Sequence, residues 1–463
     1  MVAVILPANS TSSGGGYDVA NSLRFNSGSS DSLTRSTTAG NRTTWTFSTW
    51  FKRSKLGVLQ SILEHDDSNY FRVRITSGDV FEVFDSNTNK LWSWHPLLRD
   101  TSAWYHIVIR GDSTDGTNAN RLRLYINGTL ASANAVASID QNYTFSFNQG
   151  GTLQIGKRGS TDYLDGYLAE TILIDGSALA PDEFGEFDED SGIWKPINVS
   201  GLTFGTRGFY LEFKESGTSA NSSGLGADTS GNNHHFTLNN LTSIDQSQDT
   251  CTNNFCVLND QYYYGNTFTF SEGNTKATTD SNWKTAGGTI GMNSGKWYWE
   301  FKAASSNYVE VGIGDLKGFS QGGSNYQGLS HTKATDAYGI YYNASNGEIY
   351  SNNTSGAETN PGSYGASWDT EVIGCALDLD SSQNTVTFYK SNSSQGAYDI
   401  QDPVEGYTPS FTIYANNCTI NFGGTQTDAL SSAESDENGY GSFEYAPPSG
   451  YLSICTKNLA ENS

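Results

Sequence analysis

The sequence predicts an all-β protein, two antiparallel β-sandwiches in tandem, and three observations carry that expectation. The first is residue usage: 13% of the chain is aromatic and only 16% is charged, with 50 Gly, 26 Tyr and 23 Phe against 2 Met. Aromatics favour pleated sheets, and Gly with Asn supplies turns. The second is period, since apolar residues alternate and no window keeps the i, i+3, i+4, i+7 pattern over three helical turns. The third is spacing: alternation falls into two blocks within 463 residues, room for two large sandwiches.

Taken in order, residues 1–15 read as an N-terminal arm. Its apolar run, Val2 to Leu6, is short, lacks a basic flank and stops at Pro7. A signal peptide or membrane span needs more, so the chain is expected to begin at Met1, to be made in a cytoplasm and not to insert into membranes. The first sandwich is expected over 16–199. Trp45, Phe47, Thr49 and Phe51 alternate with Thr44, Thr46 and Ser48, and Tyr105, Ile107 and Ile109 repeat the pattern. Leu122, Leu124 and Ile126 lead into Asn127-Gly128, the dipeptide that best tolerates a type I′ hairpin turn. One short helix is expected after Leu179, with Pro181 at its first position and Asp182 and Glu183 complementing the positive helix end.

Residues 200–260 read as a Ser- and Asn-rich connector with one completing strand around Phe209, Leu211 and Phe213. The second sandwich is expected over 261–445. Trp297, Trp299 and Phe301 share a face, followed by Val309, Val311 and Ile313, and by Ile340 and Tyr342 before an Asn346-Gly347 turn. Ile373, Cys375, Leu377 and Leu379, then Val386 and Phe388, then Cys418, Ile420 and Phe422 continue the alternation. Residues 446–463 form an irregular tail. The two sandwiches are expected to fold independently.

The charge balance narrows the partners. With 26 Lys and Arg against 49 Asp and Glu the formal net charge is -23, which repels phosphate backbones and anionic lipid headgroups, so nucleic acid is not an expected partner. Five cysteines are too few and odd in number for a disulfide scaffold. Cys375 and Cys418 share parity with core residues and are expected buried and inert. Cys251 and Cys256 read as accessible connector thiols, pairing left open.

The residues resemble known domains. Thr46-Phe47-Ser48-Thr49-Trp50-Phe51-Lys52, Trp104-Tyr105-His106-Ile107-Val108, Arg123-Leu124-Tyr125-Ile126-Asn127-Gly128 and Leu164-Asp165-Gly166-Tyr167-Leu168-Ala169-Glu170 together resemble a laminin G-like, concanavalin A-like jelly roll. Gly295-Lys296-Trp297-Tyr298-Trp299-Glu300, Val311-Gly312-Ile313-Gly314, Ile373-Gly374-Cys375-Ala376-Leu377-Asp378, Val386-Thr387-Phe388-Tyr389-Lys390 and Ile420-Asn421-Phe422-Gly423 resemble a SPRY domain. The joining segments Asn21-Ser22-Leu23-Arg24-Phe25, Asp228-Thr229-Ser230-Gly231-Asn232, Asp249-Thr250-Cys251-Thr252-Asn253-Asn254-Phe255 and Pro447-Pro448-Ser449-Gly450-Tyr451-Leu452 are similar to virion proteins of tailed phages of aquatic bacteria. That last resemblance implies a fibre, knob or decoration component on a particle surface.

Candidate chemistry is sparse. Glu183, Glu186, Asp188, Glu189 and Asp190 evoke the paired carboxylates of glucanases, which for retention stand roughly 5 Å apart; following the Pro181 turn, they read instead as a solvated acidic loop. Glu170 shares strand parity with Leu168, Ile172 and Ile174 and is a candidate groove residue. Asp66, Asp67 and Asp85 are the oxygen donors considered for calcium, without the spacing of a dedicated loop, and no other cofactor is expected. His234, His235, Cys251 and Cys256 match no zinc pattern. Aromatics outside the strands are the preferred ligand-binding candidates: Trp92 and Trp94 with His95 in a stretch read as loop before Pro96, and Tyr262 and Tyr263 at the start of the second sandwich.

The function expected from these features is a non-enzymatic virion surface protein on tail or capsid. Its partners are expected to be host-surface polysaccharide, other virion proteins and further copies of itself. A purely structural subunit and a glycan depolymerase using Glu170 and the acidic run in a jelly-roll groove are the alternatives.

Overall fold

The computed structural model describes residues 16–95, 97–264, 268–280, 283–320, 338–352, 358–363 and 367–462. The chain divides into two compact units, Gly14–Asn253 and Asn254–Ser463. The expected arm lies outside the described residues.

Among the described residues, the first unit stacks two eight-stranded antiparallel sheets. One sheet runs Thr129–Leu130, Leu122–Ile126, Trp104–Asp112, Thr44–Arg53, Gly166–Asp175, Ser22–Phe25 and Gln246–Ser247, with Phe209–Leu211 also on Gly166–Asp175. The other runs Ser132–Val136, Lys90–His95, Phe81–Asp85, Tyr70–Ile75, Gln60–Asp66, Gly151–Ile155, Ser32–Thr37 and Thr237–Asn239. Alternation puts Trp45, Phe47, Phe51, Ile107, Ile109, Leu122, Leu124 and Ile126 into one buried cluster between the sheets, as successive side chains of a strand point to opposite faces. The expected hairpin forms, with Ile126 opposite Thr129. Asn127 (φ 47°) and Gly128 (φ 74°) take the left-handed conformation that a type I′ turn requires. A Cβ at Gly128 would also stand 2.3 Å from the Trp194 ring. The short helix is a single 3-10 turn, Pro181–Glu183.

The completing strand forms at Phe209–Leu211, paired with Gly166–Asp175; the reading of the rest as a connector is corrected. Residues 200–253 belong to the first unit, supplying Phe209–Leu211, Thr237–Asn239 and Gln246–Ser247 to both of its sheets. Phe209, Leu211, Phe213, Leu225, Phe236 and Leu241 enter the core between the sheets, and polar side chains add to the hold: the Asp249 carboxylate accepts from Lys52 Nζ at 2.6 Å and Trp104 Nε1 at 3.0 Å. Asp228 accepts from the backbone of Tyr210, Ser230 and His234.

In the second unit, the described residues form a seven-stranded and an eight-stranded sheet. Trp297, Trp299, Phe301, Val311, Ile313, Cys375, Leu377, Phe388, Cys418 and Ile420 share its core, as their parity predicts. The tail is also corrected: Leu452–Ser453 pairs in parallel with Lys296–Ala303, and Thr456–Asn462 is helical. Its anchor is Glu300, whose carboxylate accepts from the backbone N–H groups of Glu444 and Tyr445, both at 2.9 Å.

Candidate functional site

Two of the aromatic candidates lose the role that sequence assigns them. Trp92 and Trp94 sit on a strand, Lys90–His95, rather than a loop. They are 1% and 4% exposed, within the main core of the first unit. Trp92 donates from Nε1 to the Ala137 carbonyl at 3.0 Å, and the Trp94 and Phe81 ring centroids are 6.3 Å apart. Neither ring presents a face to a ligand. His95 is exposed at the strand end, alone of that trio. Tyr262 and Tyr263 lie on the Leu258–Tyr264 strand, and their side chains fall outside the described residues.

Glu170 is a buried acid, and its parity expectation fails for a physical reason. Register shifts between Ala169 and Ile172 along the partner strand Thr44–Arg53, and Glu170 sits in that irregularity at φ 47°. A bulge inserts a residue and reverses facing. Leu168 therefore joins the core between the sheets, whereas Ile172 and Ile174 join a cluster on the opposite face with Phe184 and Tyr210. Glu170 is 5% exposed. Its Oε2 accepts from Tyr17 Oη at 3.2 Å and, by a short contact, from Tyr210 Oη. Burial, above all, pushes its carboxyl up to about 7, against the lowering effect of the Tyr210 hydroxyl.

Of the acidic run, Glu183, Glu189 and Asp190 are exposed to solvent. Glu186 lies on a short hairpin strand, Gly185–Phe187, and Asp188 just after it, and both pair with Lys195, at 3.3 and 3.1 Å. Asp188 also accepts from the backbone of Ser191 at 2.9 Å, the work of a turn carboxylate. Asp85 is buried and accepts from Ser146 N, Ser146 Oγ and Asn87 N, so its lone pairs do not fit a calcium site. Among the described residues no group of three or more His, Cys, Asp and Glu is placed to hold a metal ion. All five cysteines are free and buried, which corrects the expectation that Cys251 and Cys256 are accessible.

One arrangement escaped sequence reasoning because its members are 58 residues apart: Ser48 Oγ lies 2.9 Å from His106 Nε2. The Trp194 indole donates to His106 Nδ1 at 2.9 Å, so the ring proton resides on Nε2 and is donated to Ser48. A general base needs the opposite polarity. Complete burial holds His106 neutral, near 3.

In the first unit Phe187 is 52% exposed and lies edge-on to Trp194; the second unit gathers three aromatics around one exposed ring. Trp283, Tyr308 and Tyr414 form a triad with ring centroids 5.6 Å (Trp283 to Tyr308), 5.7 Å (Trp283 to Tyr414) and 5.3 Å (Tyr308 to Tyr414) apart. Tyr308 is 55% exposed at φ 56°, a conformation that is an outlier for a bulky residue. Hydrogen bonds hold the three segments in place. Asn416 Nδ2 donates to the Ser305 and Asn307 carbonyls, Tyr414 N to the Tyr308 carbonyl at 3.1 Å, and Ala415 N to the Asp280 carbonyl at 2.7 Å. Strain kept in place by surrounding bonds is characteristic of binding sites.

The two units are thus a concanavalin A-like jelly roll and a SPRY domain in tandem. Residues 26–183 match the family model described as the concanavalin A-like lectin/glucanases superfamily. Residues 296–425 match the SPRY domain model. Among solved structures, the chain is similar to a native heptameric SAP-like pentraxin from Limulus polyphemus, at 17% identity over 36% of this chain and 80% of that one, TM-score 0.28. It is also similar to the SPRY domain of human HERC1, at 14% identity over 37% of this chain and 99% of that one, TM-score 0.28. No curated protein matches the chain.

Proposed function

We propose that this chain is a non-enzymatic binding protein of a phage particle surface, and that it holds host envelope glycans. The observation that carries the binding role is the Trp283, Tyr308 and Tyr414 triad, a half-exposed aromatic surface on turns fixed by hydrogen bonds. Aromatic faces carry a large apolar surface and lose little side-chain entropy when a ring lies against them. Ser305, Ser306 and Asn307, on the same turn as Tyr308, supply hydroxyls and an amide for sugar hydroxyls. Glu170, with its oxygen shared between two tyrosines beneath the surface, is occupied as a structural acid, which supports a role without cleavage. The particle location rests on the phage-like segments at Asn21–Phe25, 228–232, 249–255 and 447–452.

Retention of the full-length protein on host cells, with polysaccharide length followed by size-exclusion chromatography, tests the reading. Retention should fall at least tenfold in Tyr308→Ala and Trp283→Ala while both variants keep the wild-type melting profile, and chain length should not change. Undiminished retention in both variants removes the triad from the role. Chain shortening that disappears in Glu170→Gln would establish a depolymerase instead.

A further inference from the structure

The first unit contains a basic cleft that its strongly acidic sequence conceals. Arg35, Ser36, Thr37, Thr38, Arg207 and His234 line a space of about 480 Å³, part of it open to solvent. Arg35 follows Leu33 at the same strand parity, so its stem points between the sheets near their end. Its guanidinium lies over the Phe209 and Phe236 rings, 5.3 and 5.1 Å from their centroids, an attractive placement for a cation. Burial lowers Arg35 only to about 10, so it stays charged at neutral pH. Among the described residues its guanidinium makes one hydrogen bond, a long one, Nη1 to the His234 carbonyl at 3.4 Å, and its Nε is buried without a partner. Among the described residues nothing engages the Arg207 guanidinium; only its backbone N–H is used, by Asp175 Oδ2 at 2.9 Å.

The nearby carboxylates do not neutralise the pair by contact. Asp175 accepts from the backbone of Asn41 and Arg207 and from Asn148 Nδ2. Asp228 accepts from three backbone N–H groups. Gly40 leaves room for the Arg207 stem, because a Cβ there would stand 2.8 Å from Arg207 Cγ. The rest of the lining is of a different kind. His234 donates from Nδ1 to the Gly208 carbonyl at 3.2 Å, which fixes the tautomer and leaves Nε2 as an acceptor. Burial and the Arg35 charge lower its pKa, keeping that lone pair available. Thr37 Oγ1 is taken by Gln149 and His65, whereas Ser36 and Thr38 are exposed hydroxyls.

We infer that this cleft binds an acidic sugar, its carboxylate or sulfate oxygens between Arg35 and Arg207 and a ring hydroxyl on His234 Nε2. Two planar guanidiniums with unused donors match an oxyanion. An uncharged imidazole acceptor beside free hydroxyls matches a polyol and has no use for a bare anion. The inference rests on the glycan reading for the sugar and on the geometry alone for the oxyanion.

The test separates the two. In a thermal shift assay on the full chain at matched ionic strength, sulfate in place of chloride stabilises proteins generally, so the readout is the difference between wild type and Arg207→Ala. A larger sulfate-induced shift in wild type is expected, and equal shifts would overturn the oxyanion site. Retention on dextran sulfate, polygalacturonate and neutral dextran then identifies the group. Wild type should bind one acidic polymer, Arg207→Ala about tenfold more weakly, the loss of one charge-assisted contact, and Arg207→Lys in between. Equal binding of an acidic polymer by wild type and Arg207→Ala would overturn the cleft. A sulfate shift without retention on either acidic polymer would overturn the sugar and leave the oxyanion.

Discussion

Replacing Glu170 by Gln tests whether a single buried carboxyl sets the pH response of the first unit. The acid is 5% exposed, and burial raises it from an ordinary 4.5 to about 7. At about 1.4 kcal/mol per pH unit the gap corresponds to about 3 kcal/mol. The folded pKa is the higher one, so the folded state binds more protons between the two values. Stability from this group is full below about pH 4.5 and is lost as pH rises through about 7. Other groups of the same unit overlap that window: Asp31, pushed up to about 6 by burial, acts in the same direction. His65 and His106, both held near 3 by burial, act in the opposite direction and cost stability as pH falls below 6.5. The wild-type curve alone is therefore ambiguous, and the difference between variant and wild type is the quantity to measure. Glutamine keeps an oxygen acceptor for Tyr17 and Tyr210 and cannot ionise. Urea unfolding at half-unit steps from pH 4.5 to 8, with near-ultraviolet circular dichroism, should show Glu170→Gln gaining about 3 kcal/mol on wild type across the range. A difference that does not vary with pH would refute the buried-acid account.

Three further outcomes follow from the same structure. Trp92→Ala, a truncation in the core, should cost about 3–5 kcal/mol by chemical unfolding, and should leave retention on host cells unchanged wherever the variant remains folded. All five thiols should resist alkylation in the native protein, since burial raises Cys251, Cys375 and Cys418 above their ordinary range and only thiolates react; a fast-labelling fraction seen by mass spectrometry at Cys251 would contradict its burial. A cut after Asn253 should give two fragments with cooperative melts, whereas a cut after Asp260 splits the Leu258–Tyr264 strand and should leave the second fragment less stable.

Much of the architecture is legible in the sequence, because a strand's period of two is a local property. Trp45, Phe47 and Phe51, or Trp297, Trp299 and Phe301, declare a buried face wherever their partner strands lie. Asn127-Gly128 declares its turn because few other residues accept two successive positive φ angles. Facing becomes illegible where the period breaks. The bulge at Glu170 reverses the strand beyond Ala169, and no composition signal marks it. The strand at 209–211 shows its alternation, whereas segments 237–239 and 246–247 are too short to show any, yet the sheets take them up beside carboxylates such as Asp249. Whether an aromatic is exposed is likewise a matter of what packs over it. Trp92 and Trp94 look available in sequence and are interior, while Trp283, Tyr308 and Tyr414 come from three separate segments. Arg35 and Arg207 lie 172 positions apart in an acidic chain. The sequence determines which residues can be buried by their period; only the tertiary structure decides which distant side chains meet, since that depends on strand order and bulges that local pattern does not encode.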